Sequence, residues 1–207
     1  MKKYIILTLI FVFSVAEYKT EINMDNYRFP MKYRQVYENL EHNFSYKSFD
    51  KYIIVDTSKQ KLYLIKECEI IKEYSISTSK YGLGSRYGSY KTPTGYHRIV
   101  EKIGNGVPIG GIFKSKQFTG EMATIYTSKR DVTTDFITTR IMVIDGLEPG
   151  VNTGKGIDSR RRGIFIHGTQ EEGLIGKPAS NGCIRMKNFD VVDLFEKIDN
   201  GTYITII

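Results

Sequence analysis

Lys51-Tyr52-Ile53-Ile54-Val55-Asp56, followed after a polar turn by Lys61-Leu62-Tyr63-Leu64-Ile65-Lys66, is the stretch on which the fold of this chain turns. β-Branched and aromatic residues crowd both runs, a composition that suits strands better than helices. The second run and residues 70–78 read as a hairpin joined at Glu67-Cys68-Glu69. A Gly/Ser/Tyr loop follows over 79–91. It is closed by Thr92-Pro93-Thr94-Gly95, a tight turn in which proline presets φ and glycine permits a positive one. Residues 96–102 and 137–145 read as further strands. The segment between them, 103–135, carries Gly104, Gly106, Gly110, Gly111 and Gly120 and reads as a long loop. Loops of that length are either disordered or functional, and a lid over a substrate is one such function. Near the end Val191, Leu194, Phe195 and Ile198 recur at helical spacing, an apolar stripe that packs into a core. Asn188 or Asp190 is available as its N-cap and Asn200-Gly201 as its stop. A last strand spans 203–207. The chain is therefore mainly β, a β-rich α+β protein with one clear helix late in the sequence.

At 207 residues there is room for one domain with a sizeable core plus an appendage. The 41% hydrophobic and 26% charged residues are those of a soluble globular protein. Residues 1–16 read as an export signal: Lys2 and Lys3 precede a short apolar run over 4–13, and Ser14-Val15-Ala16 supplies small residues for cleavage. An uncleaved anchor is the competing reading, but the run is well short of the ~20 residues that span a bilayer. Residues 17–50 form a polar, tyrosine-rich lead-in with a short helix over 34–40, which either packs on the domain or stays mobile. Residues 51–207 form the domain proper. The formal charge of +7 falls to +5 once Lys2 and Lys3 leave with the signal, an excess suited to a polyanionic neighbour. Nucleic acid is opposed as that neighbour by the export signal and by the scatter of the charges. The one tight basic run, Arg160-Arg161-Arg162, reads as a solvated surface loop.

Chemistry gathers around two residues. His167 follows the strand-like run Gly163-Ile164-Phe165-Ile166, and sixteen positions later Cys183 sits in Ser180-Asn181-Gly182-Cys183-Ile184-Arg185-Met186. A cysteine becomes a nucleophile when a base or positive field favours its thiolate, and histidine is the usual base. Glycine before the sulfur lets a substrate backbone approach closely. Arg185 adds a planar cation suited to a carboxylate. Other motifs are weaker. Ser77-Thr78-Ser79-Lys80 has the Ser-x-x-Lys spacing of an acyl-transferring serine, but its partner segments are absent. The glycines from 104 to 110 miss the dinucleotide fingerprint by one residue. His42, His97 and His167 are spread along the chain without metal-ligand spacing, so no metal and no cofactor is expected. A Cys68–Cys183 disulfide would block the nucleophile, and Cys68 reads as an incidental residue on a charged hairpin tip.

The cysteine string, with His167-Gly168-Thr169 upstream, resembles the catalytic signature of the L,D-transpeptidase catalytic-domain family, enzymes that remodel peptidoglycan. Asp56 to Leu64 is similar to the family's opening hairpin, Thr92-Pro93-Thr94-Gly95 to its Thr-Pro-x-Gly turn, and Ile175-Gly176-Lys177-Pro178-Ala179 to its approach to the cysteine loop. Asn181 stands where many members have histidine. The resemblance implies a mixed β-sandwich or partly closed barrel, exported to the periplasm and the cell envelope. It implies that His167 draws the proton from Cys183, with the Gly168 carbonyl orienting the imidazole. The sulfur then attacks the third-residue carbonyl of a stem tetrapeptide, releasing D-alanine. Backbone N–H groups of Asn181, Gly182 and Cys183 would hold the oxyanion, and Ser180 would shape the loop or bond substrate. Arg185 would grip a substrate carboxylate or brace the loop from within. Peptidoglycan stem peptides are the implied partner, an envelope protein is one further acyl acceptor, and a carbapenem is the implied covalent inhibitor. An L,D-carboxypeptidase and a non-catalytic wall-binding protein remain as alternatives.

Overall fold

The computed structural model of the protein describes residues 30–44 and 50–207. The export-signal reading of residues 1–16 lies outside the described residues, as do 17–29 and 45–49 of the lead-in. Among the described residues the order is α1 (Met31–Asn43), β1 (Lys51–Asp56), β2 (Lys61–Lys66), β3 (Glu69–Ser77), β4 (Gly95–Ile103), β5 (Gly111–Lys114) and β6 (Gln117–Met122). It continues with β7 (Ile137–Gly146), β8 (Phe165–Thr169), a 3-10 turn (Glu172–Leu174), β9 (Ile184–Met186), α2 (Asn188–Lys197) and β10 (Tyr203–Ile206). Eight strands close into a ring in the order β4-β10-β1-β2-β3-β9-β8-β7 and back to β4, and the β5–β6 hairpin extends from the first half of β7. Neighbours run antiparallel except β1 with β10 and β8 with β9. The protein is thus strand-rich, a mixed sheet closed into a barrel, with α2 following the cysteine loop.

Strand period explains how both sides of this sheet are used. Successive side chains point to opposite faces, so a run that is apolar throughout is buried twice. In β1 and β2, Ile53, Val55, Leu62 and Leu64 turn inward, where they join Ile166, Ile184 and Met186 from the strands around His167 and Cys183. α2 adds Val191, Leu194, Phe195 and Ile198 to that same cluster. The alternate residues Tyr52, Ile54, Tyr63 and Ile65 form a second cluster outside the ring, covered by Tyr33 and Leu40 of α1. A third cluster, Phe113 with Ile141 and Val143, lies under the β5–β6 hairpin.

The long loop expected over 103–135 is therefore not one loop, since its first half holds that hairpin. β5 begins at a glycine, and every residue of β6 is exposed, so no apolar alternation marks the strand in the sequence. The helix expected over 34–40 runs longer, and it packs on the barrel. The N-cap expected from Asn188 or Asp190 is also different. α2 starts at Asn188 with Lys187 as N-cap and no side-chain cap from either. Glu172, from the preceding 3-10 turn, accepts the Asn188 backbone N–H at 2.8 Å and its Nδ2–H at 2.7 Å. A carboxylate at that end of a helix also meets the positive end of its dipole.

Asp56 fastens α1 to the barrel. Its carboxylate is fully buried; Oδ2 accepts from Lys32 Nζ and Tyr33 Oη, both at 3.0 Å. Oδ1 accepts from Ser58 Oγ at 2.6 Å and from the Ser58 and Lys59 backbone N–H groups. Burial alone pushes this carboxyl up, but the hydrogen bonds from Ser58, Lys32 and Tyr33 outweigh it and hold it at about 2 against an ordinary 3.8. A depressed folded pKa stabilises the fold above the unfolded value, and that contribution is lost as pH falls through the folded one. Asp56→Ala should therefore cost about 2–3 kcal/mol at neutral pH, seen as a lower Tm. The difference from wild type should shrink as pH drops from about 4 toward 2. A difference that stays constant over that window would contradict the assignment.

Candidate active site

The parallel pairing of β8 with β9 brings the two chemical residues together. Ile166 pairs with Ile184, His167 with Arg185 and Gly168 with Met186. Ile166, Ile184 and Met186 face the core, so His167, Arg185 and Cys183 project from the opposite side of the sheet. Cys183 stands one residue before β9, one side-chain repeat from Arg185, roughly 6.6 Å along the strand. The outward face is nevertheless covered. Residues 123–136 strap across it: Tyr126 donates its backbone N–H to Gln170 O at 2.7 Å, and Val132 N–H reaches Glu171 Oε1 at 2.6 Å. His167 and Arg185 are each only 2% exposed under this cover.

His167 Nδ1 lies 2.7 Å from its neighbour's carbonyl, Gly168 O. A carbonyl only accepts, so Nδ1 carries the proton and Nε2 keeps its lone pair. Burial pushes the imidazole below its ordinary pKa, opposed by Asp135 and by the Gly168 hydrogen bond. It is thus neutral at rest and able to take a proton. Burial also pushes the Cys183 thiol up to about 11, against the lowering effects of the Phe165 backbone hydrogen bond, Arg185 and Arg162. The sulfur donates to Gly163 O at 3.4 Å, the bond of a thiol rather than a thiolate. At rest the two groups are thus a thiol and a neutral imidazole.

The cysteine loop is held by its own polar groups. Ser180, fully buried, donates to Cys183 O at 2.6 Å and accepts the Gly182 N–H at 3.2 Å. Ser180 therefore shapes the loop, and the Gly182 N–H is spent inside it. Thr92, in the Thr-Pro-x-Gly segment that leads into β4, accepts the Ser79 N–H at 3.0 Å and donates to Gly182 O at 2.9 Å. In a trans peptide the N–H opposes the C=O, so fixing Gly182 O aims the Cys183 N–H away from Thr92. Gly182 itself has φ +122°, and a Cβ there would meet Ile164 Cδ1 at 3.3 Å, which restricts the position to glycine. Asn181 is exposed and faces an open pocket.

Arg185 has internal partners. Nη1 donates to Glu171 Oε2 at 2.6 Å, and Nη2 pairs with Asp135 Oδ2. Both ends of the guanidinium fork are occupied, so the geometry favours the internal brace over a grip on substrate. Glu171 and Asp135 did not stand out in the sequence: a strand arginine with buried neighbours needs carboxylates, but nothing says which. Arg162 was also missed, because its run of three arginines reads as surface. It turns into the pocket beside Asn181 instead. His97, fully buried between Gly95 O and Ser159 Oγ, lies elsewhere as a structural tie, with burial pushing its pKa down to about 4. Cys68 and Cys183 are both free thiols, and Cys68 sits at the β2–β3 tip.

The family model of the L,D-transpeptidase catalytic domain matches residues 50–206. YqjB of Bacillus subtilis (strain 168) is 30% identical over 157 residues, covering 76% of this chain and 71% of that one. Among solved structures the fold is similar to an L,D-transpeptidase from Mycobacterium smegmatis, with a TM-score of 0.45, 14% identity and 76% of this chain covered. It is similar also to L,D-transpeptidase LdtMt1 in complex with imipenem, with a TM-score of 0.45, 14% identity and the same 76%. This chain spans 58% and 59% of those two solved chains, and the likeness is one of fold.

Two measurements follow from the geometry. In a Cys68→Ala background, alkylation of Cys183 by iodoacetamide should climb about tenfold per pH unit from pH 7 to 9 without levelling off. A plateau below pH 8 would mean that the thiolate is already formed at rest. Glu171→Ala leaves Arg185 half-paired in a buried site and should cost about 3–5 kcal/mol of stability, read as a lower Tm.

Proposed function

The chain belongs to the L,D-transpeptidase catalytic-domain family, and on that premise we propose that it is a peptidoglycan L,D-transpeptidase acting through Cys183. The observation that carries this reading is the His167 Nδ1–H bond to Gly168 O, which leaves Nε2 free as a base on the same sheet face as the thiol. His167 Nε2 takes the Sγ proton as sulfur attacks the carbonyl carbon of the third residue in a stem tetrapeptide. The tetrahedral oxyanion is held by the Cys183 and Asn181 backbone N–H groups, since that of Gly182 is spent on Ser180. Collapse breaks the C–N bond, and the departing D-alanine amine receives the proton from the imidazolium. An acyl-thioester remains on Cys183. An acceptor amine then attacks it, giving its proton to His167, and the thiolate leaves and is reprotonated.

The raised thiol makes general-base catalysis matter here. A thiol held at about 11 gains little from spontaneous ionisation at neutral pH, so proton transfer accompanies attack. Export suits a wall substrate, and residues 1–16 would direct it. A water acceptor would make the same site an L,D-carboxypeptidase. An exported envelope protein bearing an amine is a further acceptor compatible with this chemistry.

The test is incubation with purified muropeptides and mass analysis of the products. Free D-alanine with new cross-linked dimers is expected. Tripeptide alone would make the protein a carboxypeptidase, and unchanged muropeptides would favour a non-catalytic wall-binding protein. Cys183→Ala should abolish turnover with little change in Tm, and His167→Ala should lower kcat by about 10²- to 10⁴-fold. A carbapenem should add once to the wild-type mass and not at all to Cys183→Ala. An adduct that persists in that variant would place the nucleophile elsewhere.

A further inference from the structure

A pocket of about 220 Å³ opens beside the nucleophile, lined by Tyr87, Gly88, Tyr90, Arg162, Ile164 and Asn181. Three contacts tie it to the reacting sulfur. Asn181 belongs to the cysteine loop, Ile164 packs 3.3 Å from where a Gly182 Cβ would be, and Cys183 Sγ bonds the carbonyl of Gly163, between Arg162 and Ile164. Tyr87 and Tyr90 stand 70% and 60% exposed at its rim, so the pocket has an aromatic wall that nothing in the chain covers among the described residues.

The guanidinium of Arg162 is fixed but not neutralised. Nη1 donates to Gly84 O at 3.2 Å and Nη2 to Lys91 O at 2.5 Å, both neutral carbonyls of the loop that forms the opposite wall. Among the described residues no carboxylate lies within ion-pair distance of it, whereas Arg185 nearby is paired twice. Burial opposes the charged state of this half-buried side chain, and Cys183 favours it. A partly desolvated cation without a counter-ion among the described residues, anchored in rotamer by two backbone bonds, is preorganised for an anion that arrives with the ligand. A bidentate fork suits a carboxylate better than a point charge would.

We propose that Arg162 is the substrate-carboxylate residue of this site, binding a carboxylate of the stem peptide in the pocket beside Cys183 while Tyr87 and Tyr90 flank the peptide. The assignment rests on the transpeptidase reading above and deepens it, and it gives Arg162 the role for which Arg185, its charge already met by Glu171 and Asp135, is not open. Two sources could supply the anion: the C-terminal carboxylate of the departing D-alanine, or a side-chain carboxylate of the residue whose carbonyl is attacked.

The experiment compares three tetrapeptide substrates with wild type and Arg162→Gln: the free acid, the C-terminal amide, and the side-chain amide of the third residue. For wild type, amidation of the carboxylate that Arg162 holds should lower kcat/KM about ten- to a hundredfold, chiefly through KM, and the other amide should be nearly neutral. In Arg162→Gln that discrimination should fall to within about threefold. Amides indistinguishable from the free acid in wild type, or the same discrimination in both proteins, would overturn the proposal, and the wild-type arm stands even if the variant folds poorly. Iodoacetamide labelling of Cys183, which needs no carboxylate, is run in parallel. A wild type that labels but turns over no substrate at all would refute the transpeptidase reading, and this inference with it. Turnover without carboxylate dependence would refute the inference alone.

Discussion

The pairing of Arg185 with Glu171 and Asp135 is the constraint on which the site depends. β9 is only three residues long, too short to hold the cysteine loop by ladder bonds alone. Arg185, in the middle of β9, reaches Glu171 after β8 and Asp135 in the strap, so one side chain joins the strand after Cys183, the turn after His167 and the segment that covers both. Burying the charges of Arg185 and Glu171 is expensive, and apolar residues would stabilise the barrel as well or better. What a planar cation adds is geometry: two carboxylates on different segments must converge on one fork, which fixes how the strap lies over the imidazole.

Among the described residues three covers lie on the outer surface of the barrel, and their chemistry differs. Beneath α1 the interface is a tyrosine and isoleucine cluster with Asp56 at its margin. Beneath the β5–β6 hairpin it is Phe113 against Ile141 and Val143. Over His167 and Arg185 the cover is held by backbone and carboxylate hydrogen bonds, with the ion pairs at its centre. An apolar cover can slide with little loss, whereas a hydrogen-bonded one holds a single position. His167 and Arg185 sit under the cover whose geometry is most strictly determined, and burial lowers the His167 imidazole and raises the Cys183 thiol.

Much of this arrangement could be read from the residues. The apolar runs of β1 and β2 and the stripe of α2 are local patterns, and local patterns survive into structure, whereas Thr92 to Gly95 runs from a β-bridge with Leu83 straight into β4 without the expected tight turn. The Cys183 and His167 strings lie on adjacent strands for a reason periodicity does not give, since a parallel neighbour is set by topology rather than spacing. The features that escaped share one property: they depend on a partner far along the chain. Glu172 capping α2, Glu171 and Asp135 clasping Arg185, and Thr92 holding Gly182 O each join segments at least 14 residues apart. β6 escaped for the opposite reason, because a fully exposed strand carries no apolar signal.

Arg162 shows how the same residue type takes opposite roles from its surroundings. By composition, Arg160-Arg161-Arg162 is a surface run, while Arg185, two residues after Cys183, suits either a grip on substrate or an internal brace. Folding separates the two arginines. Arg185 is 2% exposed and its fork is satisfied by the protein's own carboxylates, while Arg162 keeps its charge open beside an aromatic-walled pocket. An arginine that is already neutralised is a fastener; one that is held by neutral carbonyls alone still needs its counter-ion. The position of the carboxylates, and not that of the arginines, decides which of the two can meet a substrate.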